Sequence, residues 1–203
     1  MKNVFIVDGS QAYVNLFKDL GFSCVYALEL ADFVCFTGGA DVTPGIYGDK
    51  GHPTTHNSVF RDNEEALIVD DCVAKGIPMV GICRGGQFLN VMGGGRMYQD
   101  VSNHCLSHLI TDLRTGEELL VSSTHHQMMM PSPMGLVVAT AGIPSRREWF
   151  DGRIPRDDVS DVGIEVVYYS NIHALCFQPH PEFGGYHAMR QYFKGLLKEF
   201  LQV

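Results

Sequence analysis

The chain has 203 residues, of which 45% are hydrophobic and 19% are charged, and its formal net charge is −8. This composition suits one folded domain over residues 1–203 with a sizeable apolar core, and it excludes a disordered chain. The acidic balance argues against a nucleic-acid-binding surface, because phosphate binding requires clustered Lys and Arg.

The first half of the chain alternates short apolar runs with amphipathic segments, a pattern typical of βαβ units around a parallel sheet. The apolar runs predict three strands, at Asn3–Val7, Phe33–Phe36 and Met79–Ile82. Apolar residues at helical spacing predict three helices, over residues 11–20, 61–75 and 85–92. Ser10 is the expected N-cap of the first helix, and Gly21 is the residue expected to end it.

The second half of the chain is richer in predicted strands. We expect strands over residues 118–122 and at Gly135–Ala141, Gly163–Tyr169 and Ala174–Phe177. A closing amphipathic helix is expected over residues 185–201. No internal repeat and no linker is visible in the sequence, which agrees with the expectation of a single domain.

The segment over residues 78–87 places Cys83 between a buried strand and a helix. Gly81 stands two residues before it and Gly85 two residues after, as a sharp nucleophile elbow requires, since flanking side chains would obstruct the turn. At the helix N-terminus, free N–H groups and the helix dipole favour a thiolate, and the N–H of Arg84 is well placed to meet an oxyanion. The pattern indicates a nucleophile, with a buried strand-end thiol as the alternative.

Near the C-terminus, a predicted strand leads into the sequence Gln-Pro-His-Pro-Glu at residues 178–182. The two prolines fix the backbone on either side of His180, and a rigid loop at a strand end is where an α/β sheet presents catalytic side chains. Glu182 follows two residues later, where its carboxylate can orient the imidazole and stabilise the imidazolium. His180 and Glu182 are therefore the predicted base and its orienting acid.

Six cysteines are distributed along the chain without a CxxC pair, and most of them lie in apolar runs. This arrangement favours free thiols over a disulfide framework. No apolar run approaches the roughly 20 residues that a membrane-spanning helix needs, and the N-terminal residues are typical of a first strand instead of a signal peptide. We therefore expect a cytoplasmic protein that does not bind membranes.

Five segments, in family order, resemble the class I glutamine amidotransferase superfamily and, within it, the γ-glutamyl hydrolase-like (peptidase C26) branch. They are residues 36–44 with Tyr47-Gly48-Asp49; Arg61-Asp62; residues 81–87 with Asn90-Val91 and Gly93-Gly94; residues 122–127; and residues 178–182. Each segment is weak alone, whereas five in order are highly specific. The resemblance implies a three-layer α/β sandwich of the flavodoxin-like type, with a mostly parallel central sheet flanked by helices and a strand-rich second half.

The resemblance also implies a chemistry. A Cys83–His180–Glu182 triad would attack the side-chain amide of glutamine or of a related γ-glutamyl compound, and water would then hydrolyse a γ-glutamyl thioester. By the same comparison, the N–H groups of Gly39 and Arg84 form the oxyanion hole. The substrate-binding residues that the resemblance implies are Gly38, Gln87, His125, His126 and Gln127. It implies no cofactor and no metal.

Two functions remain open within the superfamily. The chain is either a glutaminase that delivers ammonia to a separate synthetase partner, or a free-standing γ-glutamyl hydrolase that acts on γ-glutamyl amines or peptides. Two segments depart from the family pattern and leave the substrate and the partner undetermined. One is the methionine run 128–130, for which core packing is the favoured explanation, and the other is the charged segment 146–161.

A metal site is an alternative, because His104, Cys105 and His108, together with the pair His125-His126, are candidate ligands. Histidines four residues apart share one face only within a helix, and no acidic residue is adjacent as in a zinc protease, so the sequence disfavours this site. A catalytically silent subunit is disfavoured by the intact Cys, His and Glu. The related cysteine-elbow fold of stress proteins and peptidases is disfavoured by the late Pro-His-Pro-Glu.

Overall fold

The structure, a computed structural model, describes residues 1–203. In chain order the strands are β1 (Asn3–Val7), β2 (Ser23–Val25), β3 (Phe33–Phe36), β4 (Met79–Ile82), β5 (Arg96–Tyr98), β6 (Asp100–Val101), β7 (His108–Asp112), β8 (Glu118–Val121), β9 (Met128–Met130), β10 (Gly135–Ala141), β11 (Ser145–Asp151), β12 (Ile154–Ser160), β13 (Gly163–Tyr169) and β14 (Ala174–Phe177). The helices are α1 (Gln11–Asp19), α2 (Val59–Lys75), α3 (Arg84–Met92) and α4 (His187–Leu196). A π-helical turn, Leu197–Leu201, follows α4, and 3₁₀ turns occupy Leu28–Leu30 and Pro44–Tyr47.

Nine strands form one central sheet in the spatial order β2-β1-β3-β4-β14-β13-β10-β7-β8. The first five strands of this order run parallel to one another. From β14 onwards each strand is antiparallel to the next. This mixed sheet confirms the predicted α/β class, with its parallel part built from βαβ units and its antiparallel part built by the strand-rich second half.

Helices cover both faces of the parallel part, and side chains of its strands alternate between two apolar clusters. In β4, Val80 and Ile82 belong to the cluster that includes α1 and α4, whereas Met79 belongs to the cluster that includes α2 and α3. The strands β3 and β14 divide between the two clusters in the same way. The result is the predicted three-layer arrangement of helix, sheet and helix.

Most predicted elements occupy the expected residues, with differences at their ends. Helix α2 begins two residues before the predicted start, and the predicted closing helix is divided into α4 and the π-helical turn. Ser10 occupies the N-cap of α1, but its side chain makes no capping hydrogen bond, so that expectation is only half met. Ser58 does cap α2, because its hydroxyl accepts a hydrogen bond from the N–H of Arg61 at 3.4 Å. No helix has the length and apolar character needed to cross a membrane.

The two segments that depart from the family pattern both form strands. The methionine run is β9, which pairs antiparallel with β5, and Met128 and Met129 are fully buried, so core packing was the correct explanation. The charged segment is a hairpin of β11 and β12 that extends a small sheet from β6. Arg147 on β11 donates from Nε to Asp158 Oδ1 on β12 at 2.8 Å and lies over the ring of Tyr98. Strand β12 is the outer strand of this small sheet, and it is mostly exposed.

Candidate active site

Three neighbouring parallel strands end at one edge of the sheet, and a candidate residue follows each of them. Gly39 follows β3, Cys83 follows β4, and His180 follows β14. The carboxyl ends of adjacent parallel strands meet at the same edge, which is where open α/β sheets bind ligands. Here the three residues, together with Arg84, line one cavity with a volume of about 290 Å³.

Cys83 has the strained backbone of a nucleophile elbow, with φ 53° and ψ −115°. Close packing explains the two flanking glycines. A Cβ on Gly81 would lie 2.2 Å from the carbonyl group of Gly85, and a Cβ on Gly85 would lie 2.2 Å from the carbonyl oxygen of Phe36. The turn therefore leaves the thiol partly exposed at the N-terminus of α3, where the first N–H groups lack intrahelical acceptors.

His180 is buried and held from several sides. Its Nδ1 lies 2.7 Å from Glu182 Oε1, its backbone N–H donates to Ser122 Oγ at 3.1 Å, and its ring stacks on Phe183 with centroids 4.5 Å apart. Burial lowers the pKa of His180, but the interaction with the Cys83 sulfur and the hydrogen bond to Glu182 outweigh burial and raise the pKa to about 10. The ring is therefore suited to hold a proton at neutral pH between Glu182 and Cys83.

Gly39 has a backbone N–H without an acceptor in the protein, and Arg61 fixes its orientation. The guanidinium of Arg61 donates to the carbonyl oxygens of Gly38 and Thr37, both at 3.1 Å. In a trans peptide the C=O and N–H point in opposite directions, so this contact aims the Gly39 N–H away from Arg61. Gly39 has φ 146°, and a Cβ there would lie 2.2 Å from Arg61 Nη1, so the position requires glycine.

A buried ionic network supports both sides of this site. The side chain of Arg84 is 2% exposed and is paired with Asp62 and Glu65, which are equally buried. Glu65 also accepts from Arg61 Nε at 2.8 Å, and Asp62 accepts from the Thr43 N–H at 2.9 Å. The network joins α2 to the first turn of α3 and to the loop after β3. Arg61, Asp62 and Arg84 lie in segments that resemble the family, but their pairing with one another and with Glu65 has no local signature apart from the i,i+4 spacing of Arg61 and Glu65.

Three of the residues expected to bind substrate offer unpaired groups at the cavity. Gln87 donates its amide hydrogens to Gln127 O and Gln178 Oε1, both at 3.1 Å, which leaves its own Oε1 without a protein partner. The backbone N–H groups of His126 and Gln127 have no acceptor in the protein. The ring of His126 lies 3.2 Å from Asp41, and the hydrogen bond to this carboxylate raises the pKa of His126.

Two other residues expected to bind substrate are engaged elsewhere. The N–H of Gly38 donates to the Tyr13 hydroxyl at 2.9 Å and is therefore not free, and Gly38 does not line the cavity. His125 borders the cavity, but its Nδ1 donates to Gln127 O at 2.8 Å and its Nε2 is buried 3.5 Å from Glu165 Oε1. The imidazole of His125 therefore has no nitrogen available to a substrate.

The cavity also contains residues that the sequence analysis did not select. Thr124 Oγ1 lies 2.9 Å from His180 Nε2, the ring nitrogen that does not contact Glu182. Asp41 accepts from the His56 N–H at 2.8 Å, and both residues line the cavity. Thr124 and Asp41 lie within segments that resemble the family, and this resemblance could have identified them as candidate site residues. His56 lies in a loop without a recognisable pattern.

The peptidase C26 family model matches residues 17–128, which is more than half of the chain. The chain belongs to the peptidase C26 family. One relative is the putative glutamine amidotransferase-like protein YvdE of Lactococcus lactis subsp. lactis. It is 28% identical to this chain over 204 residues, which cover 85% of this chain and 79% of the relative. Carbamoyl phosphate synthase small chain of Thermotoga maritima is 36% identical over 70 residues, covering 34% of this chain and 18% of the relative.

A solved structure agrees with the architecture of this peptidase C26 chain. The crystal structure of a glutamine amidotransferase from Thermotoga maritima superposes with a TM-score of 0.63 at 16% identity, covering 98% of this chain and 84% of the other. Together with the family match, this confirms the resemblance to the class I glutamine amidotransferase-like superfamily and its fold. Family and relatives together support amide hydrolysis of the glutamine amidotransferase type.

Proposed function

We propose that this chain hydrolyses the side-chain amide of glutamine through a γ-glutamyl thioester on Cys83, as a glutaminase that delivers ammonia to a separate acceptor enzyme. The observation that carries the proposal is the placement of Cys83 on a strained elbow in one cavity with His180, whose Nδ1 is 2.7 Å from Glu182 Oε1. Nucleophile, base and orienting acid, held in this order, are the requirements of covalent amide hydrolysis.

In the first step, His180 holds the thiol proton and the Cys83 sulfur attacks the amide carbon of the substrate. The carbonyl π electrons move to the oxygen, and the N–H groups of Gly39 and Arg84 receive the resulting oxyanion. His180 then transfers its proton to the amide nitrogen, the C–N bond breaks, and ammonia leaves. Glu182 stabilises the imidazolium throughout, which agrees with the raised pKa of His180.

In the second step, His180 removes a proton from water, and the hydroxide attacks the thioester carbon. The same two N–H groups stabilise the second oxyanion. The C–S bond then breaks, glutamate leaves, and the sulfur recovers the proton held by His180. The nucleophile and the base are thus regenerated together at the end of this step.

Substrate recognition in this proposal uses the polar wall of the cavity. Gln87 Oε1 is free to accept from an α-ammonium group, and the N–H groups of His126 and Gln127 are free to meet an α-carboxylate. The hydrogen bond to Asp41 raises the pKa of His126 and holds its ring at this wall of the cavity. A volume of about 290 Å³ is at the lower limit for ligand pockets, which suits a single amino-acid amide.

The acceptor is a second part of the proposal. The relative named carbamoyl phosphate synthase small chain is by its name a subunit of a synthase, which supports a synthetase partner for this chain. The match to the peptidase C26 family favours the second candidate, a free-standing γ-glutamyl hydrolase that acts on γ-glutamyl amines or peptides. Both candidates use the same Cys83 chemistry and differ only in the group that leaves.

Glutamate release by the purified protein tests the proposal, with L-glutamine compared with a panel of γ-glutamyl amines and peptides. Release from glutamine and from nothing else in the panel supports the glutaminase, and its rate should rise when the acceptor enzyme is added. Faster release from a γ-glutamyl amine or peptide than from glutamine supports the hydrolase instead. A glutamine-like diazo-ketone should label Cys83 alone, and labelling spread over several of the six cysteines would contradict the assigned nucleophile.

A further inference from the structure

Four buried polar side chains converge beneath the wall of the cavity. His104 precedes β7, His108 is its first residue, His125 follows β8, and Glu165 lies on β13. One nitrogen or oxygen atom from each lies within 4.8 Å of the others. The exposed fractions are 0% for His104, 8% for His108, 4% for His125 and 0% for Glu165. Three imidazoles and a carboxylate therefore share a site that water does not reach freely.

The rings of His108 and His125 are oriented by backbone carbonyls. Nδ1 of His108 lies 2.9 Å from Leu106 O, and Nδ1 of His125 lies 2.8 Å from Gln127 O. A carbonyl only accepts, so both Nδ1 atoms carry hydrogen and both Nε2 lone pairs are directed elsewhere. They face the same atom, Glu165 Oε1, at 3.2 Å and 3.5 Å. Metal-ligating histidines are held in this way, with the second nitrogen donating to a carbonyl.

His104 and Glu165 add further unpaired atoms. Both ring nitrogens of His104 are buried without a hydrogen-bond partner, and so is Glu165 Oε2. Nδ1 of His104 lies 3.4 Å from Glu165 Oε1. Buried polar atoms without partners are costly, so their occurrence around the Glu165 carboxylate indicates a missing positive charge.

The nitrogen–oxygen distances in this cluster favour a metal ion over a proton as the missing charge. An imidazolium donating to a carboxylate would bring nitrogen and oxygen to about 2.7–2.9 Å. Around a tetrahedral Zn²⁺ with bonds of about 2.0–2.1 Å, neighbouring ligand atoms lie about 3.3 Å apart. The three nitrogen–oxygen separations here are 3.2, 3.4 and 3.5 Å, which match the ligand spacing better than the hydrogen-bond length.

We propose that His104, His108, His125 and Glu165 bind one divalent transition-metal ion of the Zn²⁺ type in a closed structural site. Four protein ligands complete a tetrahedron and leave no position for a reacting water, so the ion stabilises structure and does not act on substrate. The ligand set joins the loop before β7, the loop that carries Thr124 and Gln127, and β13. The ion would hold the antiparallel wall of the cavity in place, whatever compound the cavity binds.

This proposal departs from the expectation, drawn from the sequence, that no metal is bound. The acidic ligand, Glu165, could not be recognised from the sequence. Glu165 stands 57 residues beyond His108, so no local spacing connects them. Two of the other candidates considered with the sequence are engaged elsewhere: Cys105 Sγ contacts His125 O at 3.4 Å, and His126 pairs with Asp41. The structure thus selects three of the histidines and replaces the thiol with a carboxylate.

Metal content tests the proposal. The wild-type protein, purified from zinc-supplemented medium, should contain about one equivalent of zinc. After removal of metal with a chelator, Co²⁺ should rebind at one equivalent with the intense visible absorption of a tetrahedral site, and Zn²⁺ should raise the melting temperature. A wild-type protein that binds neither ion stoichiometrically would overturn the proposal and leave protons as the occupants of the site.

Two variants locate the ion. Glu165→Gln and His108→Gln should each weaken Zn²⁺ binding by at least about 100-fold, because each removes a direct ligand. His187→Gln is the matched control, since this exposed histidine lies on α4 away from the cluster, and it should retain one equivalent of zinc. Undiminished binding in both ligand variants would place the ion elsewhere and contradict the proposal. If a variant fails to fold, the wild-type loading experiment still decides.

Discussion

The parallel and antiparallel parts of the central sheet contribute to the candidate site in different ways. The parallel strands β3, β4 and β14 present Gly39, Cys83 and His180 at their carboxyl ends, each within three residues of the strand. The antiparallel part contributes the cavity wall through the loop after β8, which includes Thr124 and His125. The candidate reacting groups thus follow strand ends directly, and the surfaces expected to hold the substrate lie on a loop fixed by distant contacts.

The two parts differ in how the positions of their side chains are fixed. At the elbow, neighbouring backbones leave no room for a Cβ, so the position of Cys83 is determined within a few residues. The wall depends on contacts of His108 on β7 and of His125, in the loop after β8, with Glu165 on β13, which is far from both in sequence. If this division is correct, changes in the parallel part affect chemistry and folding strongly, and changes in the wall have smaller effects.

The largest effect is expected for Cys83→Ala. Loss of the nucleophile should reduce glutamate release at least about 1000-fold, since removal of a covalent catalyst leaves only binding and electrostatic contributions. The fold should persist, because alanine is smaller than cysteine and occupies the same turn. The matched control is Cys105→Ala, which changes an exposed thiol and should retain activity. Retention of full activity in Cys83→Ala would contradict the assignment of Cys83 as nucleophile.

Gly85→Ala tests the rigidity of the elbow through stability. The added Cβ would meet Phe36 O at 2.2 Å, so the strand or the helix must move. We expect a loss of about 2–3 kcal/mol in the free energy of unfolding, measured by urea denaturation. At Gly142 an added Cβ meets no atom within 4 Å, so Gly142→Ala should change stability by less than about 0.5 kcal/mol. Equal effects of the two substitutions would show that the elbow is not tightly packed.

Arg61→Lys tests the orientation of the Gly39 N–H. Lysine cannot donate to Thr37 O and Gly38 O together, so the loop after β3 loses its double anchor. We expect kcat to fall about 10- to 50-fold with little change in KM, because complete loss of one oxyanion donor costs about 100- to 1000-fold. Arg156→Lys, on the exposed hairpin, is the control. A change confined to KM would indicate that Arg61 positions the substrate and not the oxyanion hole.

Glu182→Gln should change the pH dependence more than the rate at neutral pH. The pKa of His180 is raised from 6.5 to about 10, so the imidazolium is present at neutral pH and is lost as the pH rises through about 10. Glutamine removes one cause of this shift, so the alkaline limb of kcat/KM should move to lower pH. The loss at pH 7 should be smaller than that of His180→Ala. An alkaline limb that does not move would exclude Glu182 as the orienting acid.

The smallest effect is expected for Thr124→Val, in the antiparallel wall. This substitution removes the hydroxyl that lies 2.9 Å from His180 Nε2 and keeps the shape of the side chain. We expect kcat/KM to fall less than about 10-fold, because His180 retains its contact with Glu182. Steady-state kinetics with glutamine measure the change. A loss as large as that of His180→Ala would contradict the division between reacting edge and supporting wall.

The same division explains how much the sequence revealed. Strands β3, β4 and β14 are continuous apolar runs, and the elbow and the Pro-His-Pro-Glu segment follow them, so local patterns were sufficient to predict these strands and the candidate residues beside them. Strand β2, at the edge of the parallel part, has only three residues and was not predicted. Strand β11 carries three charged residues directly after Ser145, and β12 contains Pro155, so neither segment has the sequence pattern of a strand. The charge of Arg147 is paired with Asp158 only when the two strands form the hairpin. Pairing partners of this kind are set by the fold and have no signature within a short window.

The roles of individual residues were harder to predict than their presence at the site. His125 belongs to a segment that resembles the family, yet its ring is directed to Glu165, a residue 40 positions away on another strand. Gly38 was expected to bind substrate, but its N–H donates to the hydroxyl of Tyr13 on α1. In both cases the sequence located the segment correctly, and a distant partner determined which group remained free.

The polar outer strand of the β11–β12 hairpin has a consequence for self-association. An exposed edge strand presents unpaired N–H and C=O groups on which a strand of another molecule can add, and such edges promote aggregation. On β12, Pro155 removes one donor, and the consecutive charges of Arg156, Asp157 and Asp158 resist close approach of an identical strand. The hairpin thus adds a strand pair whose outer edge disfavours the addition of a further strand.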